Sequence, residues 1–178
     1  MSNSSHDIRT IGACSVLKLG DPRLHQACAL IPDRETACRV SEELWATLDE
    51  IGKLYDFTRG TGIAAPQIGR MVRLFVATYA GVRRTFVDPL ITERSSELVS
   101  IREGCLSFFD FRGMVPRHRW VRVSASDLQG QRFELLAEGN EASLYQHEID
   151  HLDGVLYFDR LPNGKEDLIL APGMPRIP

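Results

Sequence analysis

The sequence predicts one α+β domain spanning residues 1–178, in which two helices flank a series of mostly antiparallel strands. Three observations lead to this class: a helical pattern after residue 33, several short strand patterns between residues 71 and 137, and a second helical pattern before residue 154. A chain of 178 residues with 43% apolar content suits a single domain with one core. We expect residues 1–12 and 170–178 to be loosely ordered.

Two segments have helical periodicity. The first helix is predicted over residues 33–55, with Asp33 as its N-cap. Apolar side chains recur in it at helical spacing and predict one buried stripe: Ala37, Val40, Leu44, Leu48, Ile51 and Leu54. The second helix is predicted over residues 140–152, and Gly154 serves as its C-terminal cap.

The middle of the chain consists of short segments rich in apolar and β-branched residues, which are typical of strands. The predicted strands are 71–79, 84–88, 97–101, 120–127 and 132–137. Gln129 and Gly130 predict a hairpin turn between the last two. A further short strand is predicted at 155–158, and the proline-bearing tail is not helical throughout. The glycine-rich segment 60–69 is by itself typical of a flexible loop.

Composition narrows the functional classes. A net charge of −3 with both signs interspersed gives no footprint of direct nucleic-acid binding. The first ten residues have no apolar signal-peptide core, and no apolar run is long enough to span a membrane. Cys14, Cys28, Cys38 and Cys105 form no CxxC pair, which favours free thiols in a reducing compartment. We therefore expect a cytoplasmic protein.

Residues 146–154 read QHEIDHLDG and contain two histidines four positions apart. On a helix, His147 and His151 lie on one face about 6 Å apart along the axis, so their imidazoles can hold one metal ion. Glu148 can then take a proton from water at that ion. The same short pattern also arises by chance on an ordinary solvated helix. A third ligand is needed to distinguish a metal site from such a helix.

Four residues are candidates for that ligand. Tyr157 fills the position, six residues after the second histidine, where one class of zinc hydrolases has a third histidine. Glu166 follows a Pro-Asn-Gly turn and is expected to be a surface charge. His118 lies between two arginines next to a strand and is expected to be exposed. Cys105 lies in Glu-Gly-Cys-Leu-Ser, and the ordinary role of a single cysteine is that of a small buried hydrophobe.

Three segments now occur in order along the chain: GTGIAAPQ at 60–67, EGCLS at 103–107 and QHEIDHL at 146–152. Together they closely resemble the peptide deformylase family, metal amidases that remove the N-terminal formyl group from new polypeptides. The early Gly20-Asp21-Pro22-x-Leu24 also resembles this family, and the likeness covers roughly residues 16–160. It implies mixed sheets around a central metal-bearing helix and hydrolysis of formyl-methionyl polypeptides with release of formate.

The resemblance also implies the roles of individual residues. One divalent metal ion is held by Cys105, His147 and His151. The chemistry is served by Glu148 as general acid/base on metal-bound water, and by Gln67 and the backbone N–H of Leu106 as donors to the developing oxyanion. The substrate cleft is lined by Gly62, Glu103, Arg112, Asn140, Ser143 and Leu144. The ligand set accepts iron(II), zinc, nickel or cobalt, and the resemblance favours iron(II) in the cell.

The chain departs from the family pattern at two places. The family usually has a proline two residues after the serine of the cysteine motif, whereas Ser107 is followed by Phe108 and Phe109, a change expected to reshape the groove. Asn140 and Ser143 are polar where a methionine pocket is ordinarily apolar. We therefore expect a reduced or altered preference for methionine as the first residue.

Some alternatives stay open at this point. A metallopeptidase of other specificity would need a third ligand downstream, and a non-enzymatic domain would close its structural metal with four ligands. Asp150 is either the hydrogen-bond partner of an imidazole or a surface charge, and it is not counted as catalytic. The expected partners are N-formylated nascent polypeptides. The sequence contains no strong basic patch, so it does not decide whether the protein makes a transient ribosome contact.

Overall fold

The computed structural model describes residues 9–11, 14–55, 57 and 60–171. Within them, the two α-helices are α1 (Arg34–Gly52) and α2 (Gly139–Leu152). The strands are β1 (Arg9–Ile11), β2 (Cys14–Val16), β3 (Thr61–Ala64), β4 (Leu74–Tyr79), β5 (Val82–Arg94), β6 (Leu98–Glu103), β7 (Phe111–His118), β8 (Trp120–Ser126), β9 (Arg132–Glu138) and β10 (Ile169–Leu170). The predicted α+β class is confirmed.

The described strands form three antiparallel sheets, with strand orders β1-β2, β10-β7-β6 and β3-β4-β5-β8-β9. Helix α2 is central, because one side packs on the five-stranded sheet and the other faces β6 and β7. Its Tyr145 and Ile149 join the apolar cluster that contains Phe75 and Phe86 of that sheet. Most of α2 is therefore buried, which keeps water away from its polar side chains.

Helix α1 begins as predicted, since the Asp33 side chain accepts a hydrogen bond from the Thr36 N–H at 2.7 Å. The predicted stripe is buried from Ala37 to Ile51. The helix ends at Gly52, three residues earlier than predicted, because glycine is a poor helix former. Leu54 lies beyond this end and is 60% exposed, so its assignment to the buried stripe is wrong.

The strand predictions hold in position and differ in extent. β4 begins three residues after the predicted start, and β5 extends to both sides of 84–88. The hairpin at Gln129 and Gly130 is confirmed by the pairing of β8 with β9. The short strand predicted at 155–158 is wrong: residues Tyr157–Arg160 form a 3-10 helix, which the Asp159 carboxylate caps by accepting from the Leu156 N–H at 2.8 Å.

Of the described strands, five were not predicted: β1, β2, β3, β7 and β10. β3 lies inside the glycine-rich segment that was interpreted as a loop, and pairing with β4 orders it. β7 contains Gly113 and Pro116, two residues that are usually poor in strands. Proline is tolerated at position 116 because β10 pairs only with Phe111 and Arg112, so the far edge of β7 is open beside the proline.

The chain ends differ in part from the prediction. Residues 9–11, expected to be loose, form β1, and residue 170 belongs to β10, which pairs with β7. Residues 1–8, 12 and 172–178 lie outside the described residues, and the expectation for them is untested. In the described part of the chain, no helix has the length and apolarity needed to cross a membrane.

Candidate metal centre and active site

Helix α2 places the two histidines of the HExxH pattern together inside the protein. His147 and His151 are one turn apart, their ring centroids are 4.9 Å apart, and both are buried. The tight turn after α2 depends on Gly154, which has a φ of 74°, the left-handed conformation that helix C-termini often require. A histidine pair of this kind is a ready pair of metal ligands.

Cys105 joins the pair from a distant part of the chain. It follows β6, and its Sγ lies 3.2 Å from Nε2 of His151. Ligand atoms of Cys105, His147 and His151 lie within 4.8 Å of one another, and all three residues are buried. One sulfur and two imidazole nitrogens are a donor set that suits a divalent transition metal. Three protein ligands leave a position open for water, as catalytic sites require.

The orientation of His147 is set by Glu103. Nδ1 of His147 lies 2.9 Å from Oε2 of Glu103. A carboxylate can only accept, so Nδ1 carries the hydrogen and Nε2 keeps its lone pair for a metal. Burial alone would raise the pKa of Glu103, but hydrogen bonds from His147 and Arg117 outweigh burial and lower the pKa to about 2. Glu103 therefore stays anionic.

Behind Glu103 lies a chain of alternating charges that is buried as far as Asp150 and reaches the surface at Arg160. Arg117 donates to both oxygens of Glu103, at 2.7 and 2.9 Å, and to Asp150 at 2.5 Å. Asp150 also accepts from Arg160 at 2.6 Å. Asp150 is only 6% exposed and pairs with two arginines, so both expected roles, imidazole partner and surface charge, are wrong. Each of the two carboxylates is paired and hydrogen-bonded, which offsets the cost of burying a charged group.

Sequence reasoning missed Arg117, although the sequence carries a signal for it. Along β7, the buried positions are Gly113, Val115 and Arg117, which alternate with more exposed neighbours. A cation on the inward face of a strand requires a buried anion. The sequence does not say which anion, because Glu103 and Asp150 lie 14 residues before and 33 residues after this arginine.

Glu148 faces the same space as the three ligands. It is 2% exposed, and burial raises its pKa to about 7. Within the described part of the protein, its Oε2 has no hydrogen-bond partner. A buried carboxyl with a free oxygen and a pKa near neutrality is suited to accept and return a proton.

Two donors stand on the other side of the ligand cluster. Oε1 of Gln67 accepts from the Ala64 N–H at 2.9 Å, which turns its amide nitrogen toward Ser107 at 3.2 Å and Cys105 at 3.5 Å. Leu106 is the first residue of a 3-10 helix, and the first amides of a helix have no partner within it. The amide groups of Gln67 and Leu106 are therefore both placed beside Cys105.

A cavity of about 260 Å³ opens onto these groups. All six residues expected at the substrate cleft line it: Gly62, Glu103, Arg112, Asn140, Ser143 and Leu144. All four lone-pair positions of the Glu103 carboxylate are used by Arg117, His147 and Ser143, so Glu103 forms the wall without offering a free oxygen. Phe109, in the place of the usual proline, lines the cavity, whereas Phe108 stacks on Tyr157 at 4.7 Å.

Two of the other candidate ligands lie away from the cluster, and Tyr157 lies beside it. The Tyr157 ring packs against Phe108 and His147, with centroid distances of 4.7 and 5.9 Å, and its buried hydroxyl has no hydrogen-bond partner among the described residues. Nδ1 of His118 lies 2.7 Å from the Ser95 carbonyl, and His118 is half-buried rather than exposed as expected. Glu166 is exposed in a 3-10 turn, as expected.

Gly62 lies against Glu148, and this contact gives a test of the site. A Cβ at residue 62 would be 2.7 Å from Oε1 of Glu148, so Gly62→Ala has to displace this carboxyl. Displacement of a catalytic group by about 1 Å can lower kcat about 10²-fold, and we expect this loss in steady-state assays. The matched control is Gly52→Ala, where nothing lies within 4 Å of the added carbon. Equal activity of both variants would contradict this placement of Glu148.

Cys, His and His around an open coordination position, with a buried carboxyl beside them, define the site of a metal-dependent hydrolase. Comparison with known proteins gives the family. Residues 13–167 match the family model described as polypeptide deformylase. The chain belongs to this family. The resemblance inferred from the three motifs, and the enzyme class that it implied, are confirmed.

Individual relatives are similar to this protein over most of the chain. "Peptide deformylase 1" of Bordetella pertussis is 39% identical over 157 residues, covering 83% of this chain and 86% of the relative. A crystal structure of peptide deformylase from Thermus thermophilus is 39% identical with a TM-score of 0.75, covering 83% of this chain and 85% of that one. A Met-Ala-Ser-bound class I type b enzyme from Acinetobacter baumannii is 31% identical with a TM-score of 0.74, covering 85% and 100%. The alternatives of another metallopeptidase and a structural-metal domain lose their support.

Proposed function

We propose that this protein hydrolyses the formyl group from the N-terminus of formyl-methionyl polypeptides and releases formate. The observation that carries the proposal is the cluster of Cys105, His147 and His151, two of which line one cavity together with the buried Glu148. The cavity also presents the donors Gln67 and Leu106, which an amide hydrolase needs for its oxyanion.

Cys105, His147 and His151 would hold one divalent metal ion, and we favour iron(II) in the cell with zinc, nickel or cobalt as substitutes. When bound, the ion supplies Lewis acidity and makes water nucleophilic at neutral pH. The protein contributes the orientation of the ligands. The Glu103 carboxylate fixes the His147 ring, and the buried surroundings keep bulk water out.

Glu148 acts as general base and then as general acid. It takes a proton from the attacking water and returns it to the amine that leaves when the formyl C–N bond breaks. Its raised pKa, about 7, suits both directions of transfer. Gln67 and the Leu106 N–H donate to the formyl oxygen as it gains negative charge. The hydrogen bond from the Ala64 N–H to Oε1 of Gln67 orients the amide NH₂ for this role.

The close packing of Gly62 against Glu148 predicts selectivity for the acyl group, because even a Cβ on Gly62 would lie 2.7 Å from Oε1 of Glu148. A formyl carbon carries only hydrogen, whereas an acetyl group brings a methyl for which a wall packed this closely leaves little room. We expect formate release from formyl-Met-Ala-Ser by metal-loaded enzyme, and acetate release from the acetylated peptide at least 10²-fold slower. Both rates can be measured with the same purified protein. Equal cleavage of the two peptides would overturn the proposal.

The first side chain of the substrate meets a mixed pocket. Leu144 is apolar, Asn140 is polar and exposed, and the hydroxyl of Ser143 is turned away to Glu103. We expect formyl-Met and formyl-Gln peptides to differ by less than about 10-fold in kcat/KM. Asn140→Leu should widen this ratio toward methionine by about 10-fold, because it replaces an amide by apolar surface. A wild-type enzyme that strongly favours methionine over all other residues would contradict this expectation.

We infer that the substrates are N-formylated nascent polypeptides in the cytoplasm. The support is the family's reaction and the cavity of about 260 Å³ that Cys105, His147 and Glu148 line. A transient ribosome contact stays a proposal. It predicts that ribosomes co-sediment with the protein at low salt and release it as the salt concentration rises.

A further inference from the structure

Ser143 occupies a position between the substrate cavity and the metal centre. It lines the cavity, yet only 3% of its surface is exposed. Its hydroxyl donates to Oε1 of Glu103 at 2.7 Å. Glu103 in turn accepts from Nδ1 of His147. A residue that lines the substrate cavity is therefore connected by two hydrogen bonds to His147, one of the metal-ligand candidates.

The Glu103 carboxylate has one donor for each of its four lone-pair positions. Oε1 accepts from Nε of Arg117 at 2.7 Å and from Ser143. Oε2 accepts from Nη2 of Arg117 and from His147, both at 2.9 Å. Arg117 donates one hydrogen bond to each oxygen. The remaining lone-pair position is filled by Ser143 on Oε1 and by His147 on Oε2. Removing the Ser143 hydroxyl leaves a buried anion with one unsatisfied position.

The hydroxyl of Ser143 is not needed by its own helix. Serine inside a helix commonly donates to the backbone carbonyl four residues earlier. Here it donates instead to a side chain 40 residues away in sequence. The bond therefore connects α2 to Glu103 at the end of β6, two residues before Cys105.

We propose that Ser143 is a positioning residue for the metal centre, acting through Glu103 on the orientation and basicity of His147. The inference rests on the metal ligands of the proposed function. It adds that a residue at the substrate pocket controls how firmly the metal is held. Removing a hydrogen-bond partner of a metal ligand typically lowers metal affinity 10- to 100-fold. We expect a loss of about 10-fold for Ser143, because it acts on His147 through Glu103.

The test compares two variants of the same shape. Ser143→Thr keeps the hydroxyl, and Ser143→Val has the same branched outline without it. Both are loaded with zinc, and metal release to an excess of chelator is followed by a zinc-sensitive dye. We expect Ser143→Thr to release zinc at the wild-type rate and Ser143→Val to release it about 10-fold faster. The electronic absorption of the cobalt(II)-loaded proteins should change only in the valine variant.

A purely structural role predicts another pattern. The two variants would then share the same metal-release rate and the same cobalt spectrum, whatever their melting temperatures, and this result would overturn the proposal. Ser143→Ala replaces Ser143→Val if the valine variant does not fold, and release at the wild-type rate would again overturn it. Ser41→Ala removes an equally buried hydroxyl far from the site and should release zinc like the wild type. None of these readouts requires deformylation, so failure of the proposed function would be seen separately.

Discussion

Glu148→Gln protein is expected to bind one metal ion as tightly as the wild type and to release formate with kcat lowered about 10²- to 10⁴-fold. General acid–base groups contribute factors of this size. Glutamine has the shape of glutamate but cannot take the proton from water or return it to the amine. Glu148 is absent from the ligand cluster, so metal binding should survive the substitution.

The measurement pairs metal analysis with formate release from formyl-Met-Ala-Ser. Glu141→Gln is the matched control, because Glu141 is on the same helix but pairs with Tyr145 and Arg84 away from the cavity. We expect the control to keep its turnover. Unchanged turnover in Glu148→Gln would refute the role of this residue. Loss of metal together with turnover would instead indicate a ligand or an ordering role for the carboxyl.

Local patterns were sufficient for the helices and for the hairpin at Gln129 and Gly130. The apolar stripe of α1 and the histidine spacing of α2 are properties of contiguous residues, and both helices lie within a few residues of the prediction. β3 and β7 were missed because glycine and proline weaken their local preference, while pairing with the neighbouring strands β4 and β6 stabilises them. Secondary structure that depends on pairing with another strand is not readable from its own residues.

Part of the candidate site was predicted from the sequence and part was not. The three motifs predicted Gln67, Cys105 and His147 as site residues, and the structure places all three together. The charge chain from Glu103 through Arg117 to Asp150 and Arg160 joins four separate segments, and no spacing rule links them. Ser143 shows the same limit. Its residue type predicted a polar pocket, whereas its hydrogen bond to Glu103 turns the hydroxyl away from the substrate.

Cys105→Ala is expected to abolish both tight metal binding and formate release. The substitution leaves two imidazoles, which is one ligand fewer than catalytic zinc-type sites ordinarily have. The loss in metal affinity should exceed the 10- to 100-fold that follows from removal of an outer hydrogen-bond partner, because a directly bonded thiolate is removed. Equilibrium dialysis of zinc and a formate assay at saturating metal distinguish weak binding from lost chemistry.

Cys28→Ala is the matched control, since Cys28 is an equally buried free cysteine that lies in the apolar cluster under the five-stranded sheet. It should keep metal and turnover, although loss of a buried side chain lowers its stability. If Cys105→Ala kept metal and activity, the third ligand would have to come from elsewhere. His118 and Glu166 are turned to other parts of the protein, and Tyr157, which packs against His147, would be the candidate to test next. Retained metal with retained turnover would therefore contradict the Cys/His/His centre itself, whereas retained metal without turnover would show that the thiolate is needed for chemistry more than for affinity.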